Sequence, residues 1–144
     1  MKLEDIIDLW EKDGPVDTIN ISREASETPK LHNKYFKIYM GEGYLHRKMK
    51  AEYKKLFKLK TEYYRGELDD TELKQFGWKP QPLKILRQDI PSYLEADDDM
   101  ISASLKLGEQ AQKVEYLEAI IKQINNRGFA TRAIIDWEKF RVGT

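Results

Sequence analysis

Hydrophobic residues recur along this chain mostly at spacings of three and four, the spacing of an α-helix that buries one face. The first run predicts a short helix over residues 2–12, which the pair Gly14-Pro15 should end. Alternation of hydrophobic and polar residues never extends far enough to predict a convincing β-strand, although residues 17–21 are compatible with a brief extended segment. The pattern therefore predicts an all-α protein.

Two more helices are predicted before the middle of the chain. One covers about residues 22–40, with a break or kink at Pro29. The segment Gly41-Glu42-Gly43 should end it, because glycine punctuates helical patterns. The next helix is expected over about residues 44–65, ending at Gly66.

A short helix and a long connection follow. Asp69 and Asp70 are expected to cap a helix that reaches Phe76, with Gly77 as its C-terminal stop. Residues 77–92 contain three prolines and predict an irregular connection. We expect it to separate two helical layers of a single domain that spans residues 1–144, rather than two domains.

The longest regular pattern lies in the C-terminal part, where apolar positions alternate by three and four over about four heptads. These seam positions are Met100, Ala103, Leu107, Gln110, Val114, Leu117, Ile121 and Ile124. Three aspartates, Asp97 to Asp99, precede this helix, where acids favour the positive end of the helix dipole. Gly128 is expected to end it, and a last helix should follow. Its apolar side would hold Phe129, Ala133, Ile134, Trp137 and Phe140.

The composition excludes several classes of function. The chain has no cysteine, so disulfides, thiol nucleophiles and cysteine-based zinc sites are excluded. Its two histidines, His32 and His46, are isolated, and no Walker A loop is present. We therefore expect neither catalysis nor a metal or cofactor. The N-terminus is not a signal peptide and no apolar run is long enough to span a bilayer, so we expect a cytoplasmic protein.

The charge is balanced overall, with 25 basic and 25 acidic residues, but it is unevenly distributed. Between His46 and Arg65 there are eight basic residues and only two acids. At about 100° per residue, five of the basic side chains fall on one side of the predicted helix, over about 27 Å at ~1.5 Å per residue. We call these residues the basic stripe: Arg47, Lys50, Lys54, Lys58 and Arg65.

Two interpretations of the basic stripe stay open. It is either a solvated helix face or a contact for nucleic acid. The scarcity of acids and the aromatic residues beside it favour single-strand binding, in which cations follow phosphates and aromatic rings stack on bases. Tyr53 and Tyr63, however, lie on the apolar side of the helix, which is more typical of a core. Lys60 projects from near that same side and either snorkels or lines an interface.

Several short motifs resemble the UvsY family, the recombination mediator proteins of large tailed phages. They are the N-terminal MKLEDI, the helix motif Lys58-x-Lys60-x-Glu62-Tyr63-Tyr64-x-Gly66, and Arg127-Gly128-Phe129-Ala130 followed by Ile134, Trp137 and Phe140. The matches run in register over most of the chain. They are weakest in residues 67–95.

The resemblance implies a ring-shaped homo-oligomer, a heptamer, held together largely through its C-terminal helices. It also implies binding to single-stranded DNA, to the phage RecA-like recombinase and to the phage single-strand-binding protein. Such a mediator helps the recombinase to load onto strands that the binding protein covers, in the cytoplasm of the infected host cell. The family's basic pair maps to Lys58 and Lys60. At the second position of this pair the family is expected to have arginine, whereas this chain has Lys60. Lysine keeps the charge but lacks the guanidinium group that binds phosphate through two hydrogen bonds.

Together these observations predict a DNA-binding part over about residues 1–66 and an oligomerisation part over about residues 97–144. The heptad seam packs either within the chain or against a second copy, and both alternatives stay open. The expected DNA contacts are the basic stripe and Lys60. The expected subunit contacts are Leu117, Ile121, Ile124, Phe129, Ile134, Trp137 and Phe140. The alternative function is an oligomeric helical scaffold or adaptor that does not bind DNA.

Overall fold

All regular structure in residues 1–143, which the computed structural model describes, is helical, as the sequence predicted. The helices are α1 (Leu3–Asp13), α2 (Ile21–Tyr64), α3 (Asp70–Phe76), α4 (Ile90–Glu95), α5 (Asp98–Asn125) and α6 (Arg127–Val142). A short 3-10 helix, Arg87–Asp89, directly precedes α4. None of the described helices is both long and apolar enough to cross a membrane.

Helix α2 is one continuous helix of 44 residues, where the sequence predicted two. Pro29, Gly41 and Gly43 all lie inside it. An internal glycine costs only about 1 kcal/mol relative to alanine, whereas ending the helix leaves four N–H and four C=O groups without intrahelical partners. The predicted stop at these glycines is therefore wrong, because packing of the flanking turns outweighs the local propensity.

Glycines in a left-handed conformation end two helices where the sequence placed the stops. Gly66 has φ of +75°, and the Glu67 N–H donates to the Glu62 carbonyl across 3.0 Å, which closes the end of α2. Gly77, with φ of +71°, ends α3 in the same way. The side chain of Asp69 caps α3 by accepting a 2.8 Å hydrogen bond from the Glu72 N–H.

The C-terminal boundaries depart from prediction at two places. Gly128 lies inside α6 instead of ending α5, which stops at Asn125. The connection over residues 77–92 is not irregular throughout, because the 3-10 helix and the start of α4 lie within it. Pro91 occupies the first turn of α4, where its missing N–H removes no intrahelical hydrogen bond.

The chain forms two compact units. The central unit is Leu45–Gln110, and the terminal unit combines Met1–Tyr44 with the chain from Ala111 onward. Each unit therefore contains segments from both sides of the connection over residues 77–92, which the sequence predicts to separate two helical layers. Helices α2 and α5 each contribute one part to each unit.

The core of the terminal unit brings α1, α2 and α5 together. It consists of Ile6, Tyr35, Leu117, Ile120 and Ile124, and Ile121 packs against it. Leu117 is 0% exposed and Ile124 is 1% exposed. Their side chains have no surface left for a second copy, so the expectation that they contact a neighbouring subunit must be corrected. At these positions the heptad seam packs within the chain.

Arg127 fastens the start of α6 inside the terminal unit. Its guanidinium donates to the carbonyls of Asp13 and Gly14 across 2.9 and 2.7 Å and pairs with Glu24 at 3.0 Å. Asp13 in turn accepts hydrogen bonds from Lys34 and the Tyr35 hydroxyl. Burial alone would raise the pKa of Asp13, but these two donors outweigh it and hold that pKa below its ordinary value.

Candidate nucleic-acid interface

The basic stripe lies on the part of α2 that belongs to the central unit, and all five of its side chains are exposed. Within residues 1–143, none of the five forms an ion pair with a carboxylate. Lys50, Lys54 and Lys58 succeed each other at intervals of four residues, so their Cα atoms are about 6 Å apart along the helix axis. The stripe is thus a row of cations available to an external anion.

Two acidic residues, Glu52 and Glu62, lie in the same helix segment as the stripe. Glu52 and Glu62 make no salt bridge to it in the part of the chain that the structure describes. Lys48 and Lys55 are also exposed and widen the positive surface on one flank. Among exposed charges, a surface that lacks alternating signs gains little from i, i+4 pairing. Its positive field instead suits a polyanion such as a nucleic acid.

Lys60 does not belong to this available surface. It is 4% exposed, and its ammonium lies 3.0 Å from Asp97 and 2.8 Å from Asp99. The expectation that Lys60 contacts DNA is corrected by this geometry, because two carboxylates already surround the charge. Burial alone would lower the pKa of Lys60, but the hydrogen bonds to Asp99 and Asp97 outweigh it and raise that pKa.

The carboxylate of Asp97 is the centre of this buried cluster. It accepts hydrogen bonds from the Tyr64 hydroxyl at 2.6 Å and from the Met100 N–H at 2.9 Å, the latter capping α5. Burial alone would raise the pKa of Asp97. The hydrogen bonds from Tyr64, the Met100 N–H and Lys60, of which the one from Tyr64 has the largest effect, hold that pKa below its ordinary value. Burial and the bond to Asp97 raise the pKa of Tyr64. The side chains of Lys60, Asp97, Asp99 and Tyr64 are thus connected by charge-assisted contacts.

The tyrosines beside the stripe lie in packed surroundings. The Tyr63 hydroxyl donates to the Lys79 carbonyl across 2.6 Å, and its ring meets the Trp78 ring edge-on at 5.3 Å between centroids. The Lys60 ammonium lies 4.0 Å from the Trp78 centroid, a cation–π contact. Tyr63 and Tyr64 are therefore structural, whereas Phe57, also beside the stripe, is 48% exposed.

Sequence reasoning missed the partners of Lys60 because they are distant in the chain. Asp97 and Asp99 follow it by 37 and 39 residues, and no local pattern connects them. The signal that did exist was the angular position of Lys60, near the apolar side of its helix. The sequence pattern identifies the aspartates as favourable charges at a helix N-terminus, which describes Asp97 correctly as a cap but omits its ion pair.

Helix α6 has an exposed apolar face. Phe129, Trp137 and Phe140 are between 60% and 78% exposed. At about 100° per residue they fall within about 80° of one another around the helix. The Trp137 and Phe140 rings stack with centroids 5.8 Å apart, whereas Ile134 is half-buried. A cluster of large exposed apolar residues is typical of an interaction surface.

Three comparisons with known proteins agree with one another. The model of the family described as recombination, repair and ssDNA binding protein UvsY matches residues 9–144. The recombination protein uvsY of Enterobacteria phage T4 is 24% identical over 143 residues, 99% of this chain and 99% of that protein.

Crystal structures of the bacteriophage T4 recombination mediator protein UvsY share the fold. The lattice type II structure superposes on this chain with a TM-score of 0.85 at 22% sequence identity. The match covers 99% of this chain and 98% of the T4 chain. Lattice type IV gives 0.84 at 22% identity, with coverage of 97% and 99%. The fold is thus shared over nearly the full length of both chains.

Proposed function

Because the chain belongs to the UvsY family of recombination, repair and single-stranded DNA-binding proteins, we propose that it is a non-enzymatic recombination mediator. In this proposal it binds single-stranded DNA and helps a phage RecA-like recombinase to load onto strands covered by the phage single-strand-binding protein. It acts in the cytoplasm of the infected host cell. The observation that carries the proposal is the exposed basic stripe, whose charges have no carboxylate partner in residues 1–143.

The stripe supports binding that depends on phosphates rather than on base sequence. Lysines at four-residue intervals are flexible point charges that follow a backbone without requiring one register. Arg47 and Arg65 at the two ends add planar groups that contact a phosphate through two hydrogen bonds. We propose these five residues as the phosphate contacts and leave Lys60 out of the set, since its charge is buried and paired.

We propose that the protein assembles into a ring through α6. Phe129, Trp137 and Phe140 would supply the apolar contact, and the half-buried Ile134 of α6 and Ile121 of α5 are proposed as further contacts. A ring repeats the basic stripe, so that each further contact with a bound strand becomes intramolecular and raises the overall affinity. By wrapping or bending the strand, the ring would weaken the hold of the binding protein and present DNA to the recombinase. The mediator itself needs no nucleotide hydrolysis for this role.

The decisive test is salt-titrated binding to a labelled single-stranded oligonucleotide. Replacing Lys54 and Lys58 together by glutamine should make the plot of log K against log salt shallower by about 1.4 for each protomer that contacts the strand, at roughly 0.7 per lost phosphate contact. A matched control replaces Lys12 and Lys122, two exposed lysines of the terminal unit, by glutamine and should leave the slope unchanged. If the wild-type protein fails to bind at low salt, the mediator proposal is refuted.

Assembly is tested separately by light scattering. The double variant Trp137→Gln, Phe140→Gln should have a lower mass than the wild-type protein while keeping its helical circular dichroism, because both side chains are exposed in the protomer. A wild-type monomer would contradict the ring. Assembly without any DNA binding would favour the alternative, an oligomeric scaffold or adaptor.

A further inference from the structure

An apolar groove runs beside the basic stripe, entirely within the central unit. It consists of two adjoining cavities of about 270 and 280 Å³ between α2, α4 and the start of α5. Both cavities are lined by Tyr53, Leu94, Glu95 and Met100. Leu94 and Met100 are buried and form an apolar floor. Each cavity is smaller than the roughly 300–1,000 Å³ of pockets for drug-sized ligands, so each suits a single flat ring system.

The wall of the groove nearest the stripe is aromatic. Phe57 lines one cavity and Tyr53 lines both. Phe57 follows Lys54 by three residues, and Tyr53 follows Lys50 by three. Side chains three residues apart are neighbours on a helix surface. The exposed ring of Phe57 therefore stands between the row of ammonium groups and the groove.

We propose that this groove is a nucleobase-binding site, into which the bases of a single strand insert while its phosphates lie on the basic stripe. The inference rests on the proposed function and specifies where the strand turns its bases. A single strand presents charged phosphates on one side and unpaired apolar base faces on the other. Helix α2 presents cations on one side and an aromatic wall on the adjacent side. The phosphates can therefore face the cations while the bases face the aromatic wall.

The charges around the groove support a base rather than a phosphate as its occupant. Glu95 lines both cavities and is exposed, and its carboxylate repels phosphate. The same carboxylate accepts hydrogen bonds from the exocyclic amino groups of adenine, cytosine and guanine. Ser104, at the edge of one cavity, adds a hydroxyl that serves as donor or acceptor. These charges direct the phosphates of the bound strand toward the basic stripe and its bases toward the apolar floor of the groove.

The stacking surface in this site is Phe57. Its ring is 48% exposed, and stacking between a base and an aromatic ring tolerates every base because each has a π-face. Such stacking also gives no preference for a particular sequence, which matches a protein that must bind whatever strand is exposed. Tyr53 lies deeper and would contact the edge of the inserted base.

The test compares two oligonucleotides of equal length and equal phosphate number, one of them carrying abasic sites throughout its central part. The full chain should bind the normal strand roughly 5- to 150-fold more tightly than the abasic one, the range expected for stacking of one base. Phe57→Ala should remove most of this difference. Phe76→Ala, which changes an exposed phenylalanine of the same unit outside the groove, should preserve it.

The outcomes separate this inference from the proposed function. Equal affinity of the wild-type protein for both strands, with the salt dependence intact, overturns the base site and leaves the mediator proposal standing. An unchanged preference in Phe57→Ala also overturns it. If Phe57→Ala instead lowers the mass by light scattering, the groove holds a second copy of the chain and not a base. No binding of either strand refutes the proposed function itself.

Discussion

Lys60→Met isolates the structural role of a lysine that the family resemblance places among the DNA contacts. Methionine keeps an unbranched apolar side chain of similar length, so packing against Trp78 is largely retained while the charge is lost. What remains is the Asp97 carboxylate, whose side chain is 6% exposed and has lost its cationic partner. We expect a large loss of stability and no loss of DNA affinity per folded molecule.

The size of the loss follows from the geometry of the pair. Removing one partner of a buried ion pair costs about 3–5 kcal/mol, since the other charge stays buried. Asp97 keeps hydrogen bonds from the Tyr64 hydroxyl and the Met100 N–H, so the lower end of that range applies. We therefore expect the free energy of unfolding to fall by about 3 kcal/mol. The corresponding decrease in melting temperature is about 10 °C for a chain of this size.

Denaturant unfolding at one fixed protomer concentration measures this loss, because assembly makes stability depend on concentration. Lys58→Met is the matched control: the same substitution on the same helix, two residues earlier, at an exposed position. It should change the free energy of unfolding by no more than about 0.5 kcal/mol and weaken DNA binding. Adding Asp97→Asn to Lys60→Met should recover part of the loss, because the uncompensated charge is then removed.

Two results would refute this assignment of Lys60. One is a Lys60→Met variant as stable as the wild-type protein. The other is weaker DNA binding at unchanged stability with a shallower salt dependence, which would mean that the ammonium leaves Asp97 to contact phosphate. Lys58 and Lys60 would then act as one pair, as the family resemblance implied.

Three further predictions concern stability, and each is measured by denaturant or thermal unfolding. Arg127→Met should cost about 3 kcal/mol because Glu24 and two backbone carbonyls lose their donor; recovery by lysine should be only partial, and full recovery would contradict the fork geometry. Since the pKa of Asp97 is lowered in the folded state, its contribution is present above its ordinary value of 3.8 and is lost as the pH falls further, so Asp97→Asn should flatten the acid limb of the stability profile. An equally steep acid limb in that variant would show that other carboxylates dominate. Gly66→Ala should destabilise by about 1 kcal/mol because its φ is +75°, whereas Gly41→Ala, in open space inside α2, should stabilise by up to about 1 kcal/mol; the same sign for both would contradict the assigned conformations.

The sequence predicted those features of the fold that depend on neighbouring residues. Helix ends at Gly66 and Gly77 and the cap at Asp69 were correct because each is decided within a few residues by side-chain chemistry or backbone freedom. Four of the eight seam positions of α5 are buried and the other four are half-buried, since a regular spacing of apolar residues indicates which face is covered. Family membership, too, followed from short motifs in the right order.

Features that depend on distant partners were not predictable. The regular spacing of apolar residues shows that Leu117 and Ile124 are buried but not which residues pack against them. In the structure both belong to the core of their own unit. Local helix propensity predicts a stop at Gly41 because it does not include the packing that stabilises the rest of α2. The ion pairs of Lys60 and Arg127 join residues more than 30 positions apart. For these charged groups, only the three-dimensional structure separates available charges from structural ones.

The uncompensated basic stripe makes α2 locally frustrated. Lys50, Lys54 and Lys58 repel one another at four-residue spacing, by roughly 0.2–0.5 kcal/mol per pair in isolated helices. Added salt screens that repulsion and favours the helix, yet the same salt competes with a bound strand. One row of residues therefore gives the free protein and its complex opposite responses to ionic strength. A bound polyanion removes the repulsion, so this segment of α2 should exchange its amide hydrogens more slowly when occupied than when empty.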